Sequence, residues 1–236
     1  MLDTILFDLD GTLLPMEQND FIRAYVTQLC RRYVPCGYDK DLIVKALWAG
    51  TAAMVQNDGA CTNEERFWQS FAALLGDTTP IRDSIPSFYT AEFDEIRAVT
   101  TPTPLSRQIV DTLQHKGYTL VLATNPLFPP EGVRTRLNWV DLRPEDFSLV
   151  TTYNNSTFCK PDPGYYREIL RTVEKSPETC RMVGNNPSDD MSAAQLGLDV
   201  FLVTDHLENE ANLPTDRYPQ GSLTDVLSWA RELPAL

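Results

Sequence analysis

The sequence predicts an α/β protein built on a parallel sheet, with a helical insertion after its first strand. Three observations carry this. Beyond residue 100, short, nearly uninterrupted apolar runs alternate with amphipathic segments, as parallel strands buried on both faces do. A block from about Asp20 to Ala98 has helical periodicity and no convincing strand. The apolar runs end in polar residues capable of chemistry, and open α/β sheets bind ligands at the carboxyl ends of their strands.

Residues 3–8 read as a buried strand. From Asn19 the pattern turns helical, with Phe21, Ile22, Tyr25, Val26, Leu29, Cys30 and Tyr33 recurring at steps of three and four. A second helix is expected over Leu42 to Val55. Thr62 with Glu65 forms a capping box ahead of Phe67, Trp68, Phe71, Leu74 and Leu75, and Gly76 supplies the stop. A further helix is expected from Ser87 to Ala98. The aromatic residues of this block (Tyr25, Trp48, Phe67, Trp68, Phe71) are expected mostly in its core.

The run Thr100-Thr101-Pro102-Thr103-Pro104 reads as a linker. Leu105 to Lys116 is an amphipathic helix closed by Gly117, and Tyr118 to Ala123 is a strand. A short strand is expected over Ser148 to Thr151. Asp162 caps a helix that has Pro163 at its first position and runs to about Glu174. Arg181 to Val183 is a strand, and Ser188 to Leu196 a helix stopped by Gly197. Val200 to Val203 is the last strand expected, and Gly221 to Leu233 the final helix. There are no internal repeats.

Composition narrows the function. A net charge of -13, from 20 Lys and Arg against 33 Asp and Glu, argues against nucleic acid, whose phosphates need clustered cations. No apolar run approaches membrane-spanning length, and Leu2 to Leu9 is too short and acidic for a signal peptide. The five cysteines are an odd number without a C-x-x-C pair, which favours free thiols in a reducing cytoplasm. They are expected to be buried. Two histidines nearly exclude a multi-histidine metal site, and no G-x-S-x-G, G-x-x-x-x-G-K or G-x-G-x-x-G occurs. Chemistry here is expected to run on carboxylates. Oligomeric state is not legible.

Asp8 and Asp10 stand one residue apart at the mouth of the first strand, followed by Gly11 and Thr12. Two carboxylates crowded there are costly unless a cation neutralises them or one holds a proton. Taken alone, Asp10-Gly11 also reads as a simple turn. The second strand ends in Thr124-Asn125, Lys160 follows the short strand, and the strand ending at Val183 runs into Gly184-Asn185-Asn186-Pro187-Ser188-Asp189-Asp190.

That order, D-x-D-G-T, T-N, K-P and then G-N-x-x-x-D-D, resembles the haloacid dehalogenase superfamily, most closely its phosphatase branch. The match covers nearly the whole chain. The helical block resembles that superfamily's cap of the first insertion class. The resemblance implies a doubly wound, Rossmann-like core at 1–15 and 100–236, with an α-helical cap at 16–99.

It also implies roles. Asp8 is the expected nucleophile and forms an aspartyl-phosphate; Asp10 is the expected acid to the leaving alcohol and then base toward water. Thr124 and Lys160 are expected to offset charge on the phosphoryl group, with Gly11, Thr12 and Asn125 as further phosphate contacts. Mg²⁺ is the expected cofactor, held by Asp8, Asp10, Asn185 and Asp190, with Asp189 as a substitute ligand. The substrate is expected to be a small phosphorylated metabolite, with no nucleic acid and no membrane involved. One departure is Asn185, where the family usually has Asp. Three alternatives follow: a phosphomutase using the same intermediate, a weakly active or binding-only protein, and a metal-free dehalogenase. The last is set aside by Asp10, which dehalogenases attacking carbon lack.

Overall fold

The computed structural model describes residues 1–236. Six strands form one parallel sheet: β1 (Thr4–Phe7), β2 (Thr119–Leu122), β3 (Leu149–Val150), β4 (Cys180–Gly184), β5 (Asp199–Val203) and β6 (Gln220–Gly221). Their order is β3-β2-β1-β4-β5-β6, so the first strand of the chain lies inside the sheet. Phe7 is in register with Leu122 on one side and Val183 on the other. The chain therefore has the expected α/β, Rossmann-like fold.

Successive strand residues face opposite sides of the sheet, and the core divides accordingly. Ile5, Phe7, Leu120, Leu122, Val183 and Val203 belong to one buried cluster, together with α5 (Leu105–His115) and α8 (Leu223–Glu232). Leu6, Val121, Met182 and Leu202 belong to the other, with Tyr165, Tyr166 and Ile169 of α7 (Pro163–Thr172). Apolar residues at every position were the signal for strands covered on both faces.

Between β1 and α5 lie α1 (Gln18–Tyr33), α2 (Lys40–Val55), α3 (Asn63–Leu75), α4 (Thr79–Thr90) and a 3₁₀ segment over Glu92–Val99. The chain leaves at Met16 and returns at Thr100, where the two segments run antiparallel, and the Thr101 N–H donates to the Pro15 carbonyl at 2.9 Å. The Thr62–Glu65 capping box is formed, with Thr62 N–H donating to Glu65 at 2.9 Å and Glu65 N–H to the Thr62 hydroxyl at 3.2 Å. Gly76 closes α3 at φ 78°, a left-handed conformation that glycine adopts without a Cβ clash.

Several elements differ from expectation. The helix expected at 87–98 is displaced: α4 starts eight residues earlier, where Pro80 occupies the first turn and Asp77 accepts from Thr79 N–H at 2.9 Å. The helix expected over 188–196 is a 3₁₀ segment of Met191–Leu196 only. The Asn186 side chain accepts from the N–H groups of Ser188 and Asp189 at 2.9 and 3.0 Å and folds the preceding residues into a turn. Strand β6 and helix α6 (Pro130–Asn138) are additions to the expected set. Trp48 is not core but 46% exposed, and Cys36 is exposed rather than buried. No helix is long and apolar enough to cross a membrane.

Candidate active site

The carboxyl ends of β1, β2 and β4 converge on Asp8. Its N–H donates to the Val183 carbonyl at 2.9 Å, which continues the β1–β4 ladder and fixes the residue in the strand plane. Lys160 arrives from the segment after β3, only 2% exposed. Its Nζ donates to Asp8 Oδ1 at 2.8 Å and to Asp190 Oδ1 at 2.7 Å. The other Asp190 oxygen accepts from the Asn186 N–H at 2.9 Å. Asp190, expected among metal ligands, is thus also the second anchor of Lys160.

Burial pushes the Asp8 carboxyl up to about 8; Lys160 opposes the shift, and Asp190 and Asp10 add to it. Burial works against the Lys160 ammonium, but Asp190 and Asp8 more than offset it and keep the amine charged. Asp189 is also pushed up, by burial and then by Asp190. The site is crowded with carboxyl groups that burial pushes toward their neutral forms.

Asp10 pairs with Arg136 of α6, whose side chain is completely buried. The guanidinium stacks on Phe128, with Cζ 4.2 Å from the ring centroid, and its Nε donates to the Gly132 carbonyl at 3.2 Å. Asp10 Oδ1 and Arg136 Nη2 are buried without a partner. Sequence reasoning missed Arg136. The available signal was its place three residues after Val133 and beside Leu137 on the buried face of α6.

Other expected residues come to the site in different roles. The N–H groups of Gly11 and Thr12 donate to the carbonyls of Leu14 and Leu9 at 2.8 and 3.1 Å, so this backbone is already satisfied within its own loop. The Thr12 hydroxyl donates to Asn185 Oδ1 at 3.2 Å, and Asn185 Nδ2 donates to the His206 carbonyl at 2.6 Å. Asn185 thereby cross-braces two strand-end loops. Asn125 does the same, accepting from the Lys160 N–H at 3.2 Å and donating to Asp189 at 3.4 Å. Thr124 is buried, and its carbonyl accepts from the hydroxyls of Thr151 at 2.6 Å and Tyr165 at 2.9 Å. His206 and Glu208 line the polar cleft beside Asp10, Gly11 and Asn185, and sequence reasoning singled out neither.

Gly184 shows how closely these groups are packed. A Cβ there would stand 2.2 Å from Asp190 Cγ. Gly184→Ala is therefore expected to displace Asp190 from Lys160. Its expected cost is about 10²-fold in turnover and about 1–3 kcal/mol in stability, read by steady-state kinetics and thermal melting. Wild-type values for both would show that the Asp190–Lys160 contact is not needed.

The donor set fits a hard divalent cation. Two cations (Lys160, Arg136) stand among four carboxyl groups (Asp8, Asp10, Asp189, Asp190), and burial pushes Asp8 and Asp189 toward their neutral forms, a cost that a divalent cation would offset. The buried, unpartnered Asp10 oxygen points the same way. No group of three or more His, Cys, Asp or Glu forms a ready-made cage, so any such ion relies on amide and backbone oxygens as well.

A doubly wound parallel sheet with a helical insertion after β1, and with paired aspartates, a lysine and an acidic loop at its strand ends, matches one family. Residues 2–197 match the haloacid dehalogenase-like hydrolases, and the chain belongs to that family. Among curated relatives it is similar to the pyrophosphatase PpaX of Bacillus anthracis, 22% identical over 227 residues that cover 96% of this chain and 94% of the relative. Among solved structures it resembles the HAD-hydrolase YfnB of Bacillus subtilis bound to magnesium, with TM-score 0.61, 19% identity and coverage of 98% and 99%. It also resembles a HAD phosphatase of Thermococcus onnurineus, with TM-score 0.60, 17% identity and full coverage of both chains.

Proposed function

We propose that the protein is a Mg²⁺-dependent phosphatase that hydrolyses a small phosphorylated metabolite through Asp8. The observation that carries this reading is the buried Asp8–Lys160–Asp190 cluster at the strand ends, in which two carboxyl groups share one ammonium. The curated relatives named as pyrophosphatases support phosphate chemistry in the wider family. The free cysteines are consistent with a reducing cytoplasm. In this reading residues 1–15 and 100–236 form the catalytic core, and residues 16–99 form a cap over it.

The cation would be held by Asp8, the Asp10 backbone carbonyl and the Asn185 amide oxygen. When bound, it neutralises charge on Asp8 and on the phosphoryl oxygens. Asp8 attacks phosphorus, the ester P–O bond breaks as the Asp8–phosphorus bond forms, and Asp10 gives its proton to the departing alkoxide. Asp10 then takes a proton from water as that water attacks phosphorus. The bond to Asp8 breaks, and inorganic phosphate leaves with Asp8 restored. Lys160 holds Asp8 in line and adds a fixed positive charge where charge accumulates. Arg136 holds Asp10 by Oδ2 and leaves Oδ1 to carry the transferred proton, and the cap excludes bulk water.

A panel of phosphorylated metabolites, assayed for released phosphate with Mg²⁺ and with chelator, tests the reading. Turnover with Mg²⁺ that falls at least about a hundredfold with chelator is expected. Equal turnover in both conditions removes the metal from the mechanism. A binding-only protein is the reading favoured by Asn185, because its amide is already tied to Thr12 and His206. Ligand binding without turnover across the whole panel would select it.

A further inference from the structure

The helical block and the loop after β2 enclose an apolar cavity of about 130 Å³. Of its 20 lining residues 17 are hydrophobic, and none is charged. Phe21 and Tyr25 come from α1, Leu47 from α2, Phe71 from α3 and Phe88 from α4, while Phe128 closes the side toward the sheet. Four of the five hydroxyls in this wall have partners within the fold: Tyr25 with Tyr89 at 3.1 Å, Tyr33 with Ser84 at 2.8 Å, and Thr51 donating to the Leu47 carbonyl at 3.0 Å. The rings, not the hydroxyls, are what the cavity offers.

The cavity adjoins the polar cleft at Asp10. Gln18 lines both it and the polar cleft that contains Asp10, Gly11 and Asn185. Phe128 lines the cavity and carries the Arg136 guanidinium that binds Asp10. Leu127, Phe128 and Pro129 follow directly on Thr124, Asn125 and Pro126 at the end of β2. Half-exposed Trp48 stands in the wall.

Resting on the Asp8 hydrolase reading, we propose that the substrate is the monophosphate ester of an apolar alcohol of about benzene size, whose hydrocarbon end occupies this cavity. An apolar cavity of roughly 150 Å³ stays dry and takes up benzene, so this one is of the right size and chemistry. A second phosphate, a carboxylate or a sugar would enter a wall with no charged side chain and few polar groups to replace its water. The inference separates this chain's substrate from pyrophosphate, which has no apolar part to bury.

The test uses the full-length protein with Mg²⁺ and compares benzyl phosphate, glycerol phosphate and pyrophosphate. The expected kcat/KM for benzyl phosphate exceeds the other two by at least about tenfold. Leu47→Trp, which fills the cavity, is expected to raise KM for benzyl phosphate about tenfold or more. Leu47→Ala, which enlarges it, is expected to shift preference toward a larger ester such as naphthylmethyl phosphate; thermal melting checks that both variants fold. Benzyl alcohol alone, titrated into Asp8→Asn protein by ligand-observed NMR, is expected to bind, and to lose binding when Leu47→Trp is added. Faster hydrolysis of glycerol phosphate or pyrophosphate, with no benzyl alcohol binding, overturns the substrate class and leaves the hydrolase reading standing. Benzyl alcohol binding with no hydrolysis of any ester overturns the hydrolase reading and, with it, the substrate class.

Discussion

Asp8→Asn is expected to abolish phosphate release, by about 10⁴-fold or more, while leaving the fold intact. Asn keeps the shape of Asp and removes the attacking oxygen. The same variant is expected to be more stable than the wild type at pH 7 to 8 without metal. Burial raises Asp8 from its unfolded value near 3.8 to about 8, so between those values the native state holds a proton that the unfolded chain has lost. The stabilisation this brings is complete below the unfolded pKa and is lost as pH rises toward 8. Asn185 and Asp190 stay in place in the variant, but the titration does not. Thermal melting from pH 5 to 8.5 should therefore fall less steeply for Asp8→Asn than for wild type. An advantage of about 1–2 kcal/mol at pH 8 corresponds to a few degrees in Tm. Unchanged turnover in the variant would remove Asp8 as the nucleophile, and parallel melting curves would remove the raised carboxyl.

Lys160→Ala is expected to cost more stability than any other single change at the site. It would leave Asp8 and Asp190 buried and close to one another without the ammonium that now holds both at 2.7 to 2.8 Å. Removing one partner of a buried ion pair costs about 3–5 kcal/mol. The sign with pH follows from the same linkage. With the cation gone, the Asp8 carboxyl prefers its neutral form still more strongly in the folded state, so the deficit should shrink as pH falls toward 5 and grow toward pH 8. Urea denaturation at pH 5 and pH 8 reads this directly, and an equal deficit at both would show that the carboxylates are not the cause. Phosphate release should be lost at either pH, because Asp8 then lacks both its orientation and its compensating charge.

The readable parts of the sequence were those whose signal is local. Strands β1, β2 and β4 are buried on both faces and so appear as short apolar runs. The capping box of α3 and the Asp162 cap of α7 lie within three residues of their partners. Asp8 was legible because it sits just past a strand end, and Lys160 because it stands in the third of four motifs in a recognisable order. Arg136 was not, since α6 begins Pro130-Glu131-Gly132 and carries Arg134 and Asn138, a polar composition that looks solvated. Its burial is imposed from outside, by Tyr89 over Gly132 and Phe128 under the guanidinium. Asn125 and Asn185 were legible as site residues but not as braces, because their partners lie 35 and 21 residues away. Strand β6 is two residues long and exists through pairing with β5, which no local pattern encodes.

The interior position of β1 has a consequence for motion. Local opening in a sheet starts at its margins, here the two-residue strands β3 and β6. Fraying there leaves β2 and β4 to clamp β1 on either side, so the nucleophile is insulated from the loosest parts of its own scaffold. The amide of Asp8, bonded to Val183, should be among the last in the molecule to exchange with deuterium, while Leu149 and Gln220 exchange early.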